Sequence, residues 1–204
     1  MPPRRASFGR GLTLGAVCRG ITAEPESVRH NTRIGLVESF VPSANNADSR
    51  GSADLVERFG MIWWNGKIPE TERLTRLGSS SMPAHLGIEF VDCGEDWVKA
   101  RMPVDHRTHQ PFGRLHGGAS VALAETIGSM GGAMVVDPEK FVTVGLEINA
   151  NHVRPVREGW VYATARPEAL GRTTHVWSIR IEDEADRLVC VSRLTLAVIS
   201  IDRS

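Results

Sequence analysis

Cysteine is scarce in this sequence. The 204 residues hold three, Cys18, Cys93 and Cys190. Their number is odd, they lie far apart and no CxxC occurs. That argues against a disulfide framework and against a cysteine-ligated zinc site, and no metal is expected. It fits a reducing compartment, so a cytoplasmic protein is expected. Net charge is missing as well, because Lys+Arg and Asp+Glu are 24 each. A balanced chain is not a general polyanion binder, so no nucleic-acid partner is expected. No run approaches the roughly 18 apolar residues of a membrane span, and no membrane partner is expected either. Internal repeats are also absent. What is present, 41% apolar and 24% charged residues, is the composition of a globular protein with a core.

The first 60 residues stand apart. "MPPRRASFGRGLTLGAVCRG" carries four Arg and no acid. It can be read as a twin-arginine signal or a transit peptide. Its apolar run is short, is broken by Gly15 and lacks a small-x-small cleavage site. Residues 41–54, "VPSANNADSRGSAD", have linker composition. No period of 2 or 3.6 persists, so residues 1–60 are expected to be a disordered N-terminal extension. Residues 61–204 are then the folded domain. Met61 itself resembles a start, which suggests that the working protein lacks some or all of what precedes it.

Periodicity sets in after Met61. "PETERLTRL" reads as a short helix, with Pro69 in its first turn. Two strands between Gly87 and Val104 face each other across "CGED", and Val98, Ala100, Met102 and Val104 share one face. The loop "DHRTHQPFGRL" leads to "GGASVALAETIGSMGGAMVV". That segment is long and Ala-rich, which favours a helix. Four alternating segments follow. Val142, Val144, Leu146, Ile148 and Ala150 share a face in the first. Val161, Ala163 and Ala165 do so in the second, and His175, Trp177, Ile179 and Ile181 in the third. "EDEADR" makes a turn to Leu188, Cys190, Leu194, Leu196 and Val198 in the fourth. The order strand, strand, long helix, four strands predicts an α+β fold. Its simplest form is one curved antiparallel sheet wrapped around the central helix.

Chemistry gathers in "HGGASVALAE", residues 116–125. A helix starting at Gly117 or Gly118 has unpaired N–H groups and the positive end of its dipole there. Its plain reading is a Gly-rich turn. Its functional reading is an oxyanion site. Glu125 lies further along a helix that is apolar nearly all round, where a lone carboxylate is costly unless it is used. The alternative is a solvated stripe or a bond to a distant donor. Ser129, one turn on, shares the Glu125 face. Gly117 and Glu125 are eight residues apart, about 12 Å along a helix. One carbonyl cannot touch both within one chain. Two such helices running antiparallel would bring them together, so shared sites and a dimer are expected. Gly117, Gly118, Ala119, Gly128, Gly131 and Gly132 would let the helices approach.

"HQPFGRLHGGASVALAETIGSMGG" and "VGLEINANHVRPVREGWV" resemble the hotdog-fold acyl-CoA thioesterases. The likeness is to the clade with a catalytic Glu on the central helix. That clade takes in the dihydroxynaphthoyl-CoA thioesterases of menaquinone synthesis and the proofreading thioesterases of enterobactin synthesis. The resemblance spans about Met61 to Ile199. It implies a hotdog fold and hydrolysis of an acyl-CoA to free acid and CoA. The acyl group would be aromatic, such as hydroxybenzoyl or dihydroxynaphthoyl, or of medium chain length. It implies that Glu125 attacks the thioester or activates water, and that Ser129 orients the water. Gln110, His116 and the Gly117 N–H would contact the carbonyl. These three would come from one subunit, and Glu125 and Ser129 from the other, in a homodimer or a homotetramer built as a dimer of dimers.

Further residues follow from the same likeness. Phe112 and Met130 would border the acyl pocket, and Gly145 would be a substrate contact. His152, Arg154 and the "GRTT" turn with Arg172 and Thr173 would hold the nucleotide end of CoA. No cofactor is implied. Two alternatives stand beside this one: a non-catalytic acyl-CoA-binding hotdog domain, and a hydratase or dehydratase of acyl thioesters.

Overall fold

The computed structural model describes residues 60–201. The expectations for residues 1–59 (an extension, a targeting signal, a later start) lie outside the described residues. Helix α1 is Thr71–Leu77 and helix α2 is Met82–Leu86. Strands β1 (Glu89–Cys93) and β2 (Val98–Pro103) follow, then the two-residue strands β3 (His109–Gln110) and β4 (Arg114–Leu115). Helix α3 runs Gly117–Val135. Strands β5 (Phe141–His152), β6 (Trp160–Leu170), β7 (Thr174–Asp183) and β8 (Leu188–Ser200) complete the chain. Among the described residues, no helix is long and apolar enough to cross a membrane.

Six strands form one antiparallel sheet in the order β1-β2-β6-β7-β8-β5. Helix α3 packs on its inner face, touching β2, β5, β6, β7 and β8. Alternation predicts that inner face closely. Val98, Ala100, Met102, Val161, Ala163, Ala165, Trp177, Ile179, Ile181, Leu194 and Leu196 are each at most 1% exposed. The connections follow from local chemistry. In the β7–β8 turn, Asp186 has φ 56°, a left-handed conformation that Asp tolerates. The Asp183 carboxylate accepts from the backbone N–H groups of Ala185 and Arg187 and from Arg187 Nε. Arg187, first among these, holds the Asp183 carboxyl below its ordinary range. Asp96, 2% exposed, takes both its oxygens' bonds from Arg166 at 2.8 and 2.9 Å, tying the β1–β2 turn to β6.

Three features depart from the expected pattern. Helix α2 is a single extra turn, begun around Pro83 and ended by Gly87 at φ 71°. The loop after β2 carries the β3–β4 ribbon. And β5, an edge strand, does not keep its apolar series on one face. Before the register slip at Gly145–Glu147, Val142 and Val144 pair with Ile199 and Ala197 on the outer face and are 44 and 45% exposed, and Leu146 in the slip is 63% exposed; after it, Ile148 and Ala150 pack against the core. One extra residue shifts the period of two, so alternation read straight through it misplaces half the strand. The helix glycines are also used differently from expectation. Gly128, Gly131 and Gly132 are buried against the sheet, under Leu194, Trp177 and Leu196. They set the helix down on its own sheet and are not free for a second helix.

His175 lies on the inner face of β7 with 3% exposure, and its Nδ1 has no partner among the described residues. Burial lowers its pKa, opposed in part by a hydrogen bond to the Gly171 backbone. The ring therefore stays neutral in the fold and takes up a proton on unfolding. Its contribution is complete above the unfolded pKa of about 6.5 and is lost as pH falls below it. The thermal midpoint should decline between about pH 7 and pH 5, and His175→Leu should flatten that decline. An unchanged slope in the variant would assign the decline to other groups.

Candidate active site

The loop between β2 and α3 is pinned at both ends. Thr108 is 1% exposed; its hydroxyl donates to the Pro103 carbonyl at 2.8 Å and accepts from the Asp105 N–H at 3.1 Å. Its carbonyl accepts from the His116 N–H at 2.8 Å. Arg107 grips Asp105 through its guanidinium, which lowers the Asp105 pKa to about 2. The Leu115 N–H reaches the Val156 carbonyl at 2.8 Å. Gly113, at φ 68°, closes the β3–β4 ribbon, which sets Gln110 directly across from Arg114. Gln110 Oε1 accepts from the Phe112 N–H. Its amide nitrogen has no hydrogen-bond partner among the described residues, so its two protons are available to a ligand oxygen.

His116 caps the helix. Its Nδ1 accepts from the Gly118 N–H at 2.8 Å. The neutral ring must then carry its proton on Nε2, which makes that nitrogen a donor. Among the described residues no acceptor takes the Gly117 N–H. The first turn of α3 thus offers a free backbone donor at the positive end of the helix dipole.

Two turns on, Glu125 is half-buried rather than enclosed as its apolar helix suggests. Ser129 donates to its Oε1 at 3.2 Å, the helical pairing expected from their spacing. Among the described residues no Lys or Arg pairs with it. The carboxylate lies over Gly145 of β5.

A groove of about 340 Å³ opens at the helix N-terminus. Gln110, Gly117, His152 and Arg154 line it, as do Arg114 and Ser120. Four expected residues are therefore brought together. His152 is nearer the helix than expected, since its Nε2 would lie 2.9 Å from a Cβ built on Gly117. Arg154 Nε donates to the Leu188 carbonyl at 3.2 Å. Glu125, Ser129, His116, Gly145, Phe112, Met130, Arg172 and Thr173 do not line this groove, although His116 caps the helix directly before Gly117. Phe112 stands 80% exposed at the ribbon turn, and Met130 is half-buried against the core.

The expected nucleotide-binding residues divide between two ends of the sheet. The Arg154 N–H bonds to the Val189 carbonyl, while the Val198 N–H bonds to the Thr173 carbonyl. Nine residues of β8 separate these bonds, about 30 Å of strand. Arg154 and Arg172 of one chain therefore cannot meet the same phosphate group. Among the groove residues that sequence reasoning missed are Ser120 and, on the ribbon, Arg114. The signal for Arg114 was its place opposite Gln110, visible only once the "QPFGR" stretch is read as a tight ribbon.

The same fold recurs in known proteins. Residues 112–190 match the model of the Thioesterase superfamily. The 1,4-dihydroxy-2-naphthoyl-CoA hydrolase of Escherichia coli (strain K12) is 52% identical over 136 residues, covering 67% of this chain and 98% of that protein. Proofreading thioesterase EntH of Cronobacter turicensis is 49% identical over 138 residues, covering 68% of this chain and 98% of that protein. A crystal structure of a Haemophilus influenzae thioesterase superposes with a TM-score of 0.67 at 55% identity, covering 70% of this chain and 98% of that one. The curved sheet around one central helix is the hotdog fold, here in the form of a thioester hydrolase. This chain belongs to the thioesterase superfamily.

Proposed function

We propose that residues 61–204 hydrolyse an acyl-CoA thioester, with an aromatic acyl group, to the free acid and CoA. The observation that carries this reading is the Gly117 N–H, without a partner among the described residues, at the N-terminus of an apolar helix and beside a groove that Gln110 also lines. A thioester carbonyl placed there accepts from Gly117, the Gln110 amide and His116 Nε2. Each bond strengthens as the oxygen becomes an oxyanion. Glu125 supplies the attack, as nucleophile or as the base that takes a proton from water, with Ser129 holding that water. Collapse of the tetrahedral species expels the CoA thiolate; where Glu125 itself attacks, water then cleaves the acyl-glutamyl anhydride, which releases the free acid and restores the carboxylate. No resident cofactor takes part.

Glu125 and the carbonyl site belong to different chains in this proposal. Eight helical residues separate Gly117 from Glu125, about 12 Å. Two further features favour a second copy. Strand β5 leaves one edge unpaired, with Val142, Val144 and Leu146 exposed along it. And only a second chain brings Arg172 and Thr173 towards the groove that holds Arg154 and His152. Phosphates of CoA would then meet Arg154 from one chain and Arg172 from the other. The minimal unit is a homodimer, and a dimer of dimers is the expected assembly.

The aromatic acyl group is favoured by the naming of the Escherichia coli relative as a dihydroxynaphthoyl-CoA hydrolase. A thiol-release assay over benzoyl-, hydroxybenzoyl-, dihydroxynaphthoyl- and fatty acyl-CoA tests the proposal. The aromatic esters should give the highest kcat/KM. Tight binding of the esters without thiol release would make the domain a binding module. A preference for long fatty acyl chains would overturn the aromatic assignment.

A further inference from the structure

We infer that Gly145 is the positioning residue for the Glu125 carboxylate. This rests on the reading of Glu125 as the group that attacks or activates water. Glycine weakens a strand, because it has no side chain to pack and loses more backbone freedom than any other residue. At several positions in this chain a positive φ accounts for the glycine, as at Gly87, Gly113 and Gly159. Gly145 is not among them; its φ lies outside the left-handed region, so the backbone accepts an L side chain there. A side chain there would have to displace the Glu125 carboxylate, the flexible end of its side chain. A Cβ built on Gly145 would lie 2.6 Å from Glu125 Oε1 and 3.6 Å from its carboxyl carbon. Apart from its chain neighbours, no other described residue comes closer than 4.0 Å.

The strand is shaped around this contact. Between Gly145 and Glu147 the register against β8 slips by one residue, leaving Leu146 outside the ladder. A bulge of this kind bends the strand locally. The bare face of Gly145 and the Ser129 hydroxyl thus hold the carboxylate from two sides. Ser129 donates a bond to Oε1. Gly145 supplies room on the strand side and limits how far the carboxylate can move towards the sheet.

The test is a cycle of Gly145→Ala and Glu125→Asp, read by steady-state kinetics on the best thioester substrate. Gly145→Ala should lower kcat by about 100-fold, the effect of displacing a reacting group by roughly 1 Å. KM should change little, because Gly145 does not line the groove at the helix N-terminus. Glu125→Asp shortens the side chain by one methylene and makes room for the new methyl. The double variant should therefore retain clearly more activity than the product of the two single losses. A folded Gly145→Ala enzyme with near-wild-type kcat would overturn the inference, as would strictly multiplicative losses. A rise in KM or loss of the oligomer with kcat intact would also overturn it, by assigning Gly145 to substrate or subunit contact. If Gly145→Ala does not fold, the Gly145→Ala/Glu125→Ala pair decides. Recovery of a cooperative thermal transition supports the contact, and its absence overturns it. Glu125→Ala alone reports on the catalytic reading separately, so failure of that reading is distinguishable from failure of this one.

Discussion

Glu125→Ala should lose about 1000-fold in kcat, the range expected when a positioned base or nucleophile is removed. Binding of the CoA ester should survive, because Gln110, Gly117, His152 and Arg154 still line the groove. Glu125→Gln should fall nearly as far. It preserves shape and hydrogen bonding to Ser129, but cannot accept a proton at neutral pH or attack as a carboxylate. Steady-state thiol release measures the loss, and calorimetric titration with a slowly hydrolysed ester analogue measures the binding. Near-wild-type turnover by Glu125→Ala would end the proposed mechanism. Equal loss of turnover and of binding would mean that the carboxylate holds the substrate rather than acting on it.

Mixing two inactive variants should restore activity. Gln110→Ala removes a donor at the carbonyl site, and Glu125→Ala removes the attacking group. Each homodimer then carries two damaged sites. In a one-to-one mixture that exchanges subunits freely, half the dimers are hybrids. Each hybrid has one site with both residues intact and one site lacking both. Activity should return to about a quarter of wild type for a two-fold symmetric dimer. If instead each site is built within one chain, every site in the mixture lacks one residue and activity stays at the level of the variants. Subunit exchange is checked independently with a tagged chain, so that a negative result has one meaning. The experiment reads directly whether the 12 Å between the two halves of the α3 site is bridged by a second copy.

Much of the fold was legible because its strands alternate strictly. Val161, Ala163 and Ala165 alternate with Trp160, Tyr162 and Thr164, and the first three are all fully buried. The central helix was legible from length and alanine content, and its limits in the structure, Gly117 and Val135, lie within a residue of those read from the sequence. The ribbon Gln110–Arg114 was not legible. Two-residue strands carry no period, and this one is held by contacts to distant residues, such as the Leu115 N–H to the Val156 carbonyl. The apolar series of β5 was visible, but the bulge that puts its two halves on opposite faces was not. A single extra residue shifts the side-chain period, and alternation does not encode where it falls.

The candidate site divides in the same way. The amino-acid order alone fixes that His116 precedes Gly117 at a helix start, that Ser129 lies one turn after Glu125, and that eight residues separate Glu125 from Gly117. Those are local relations, set by the pitch of a helix. Only the tertiary structure decides which distant residues join them. It turns His116 into an Nε2 donor through the Gly118 N–H. It seats His152 beside Gly117 and Glu125 over Gly145. It sends Arg154 and Arg172 to opposite ends of β8. The reason is physical. A helix writes its own geometry in the sequence through a fixed rise per residue. A sheet brings together segments whose separation along the chain says nothing about which of their atoms will touch.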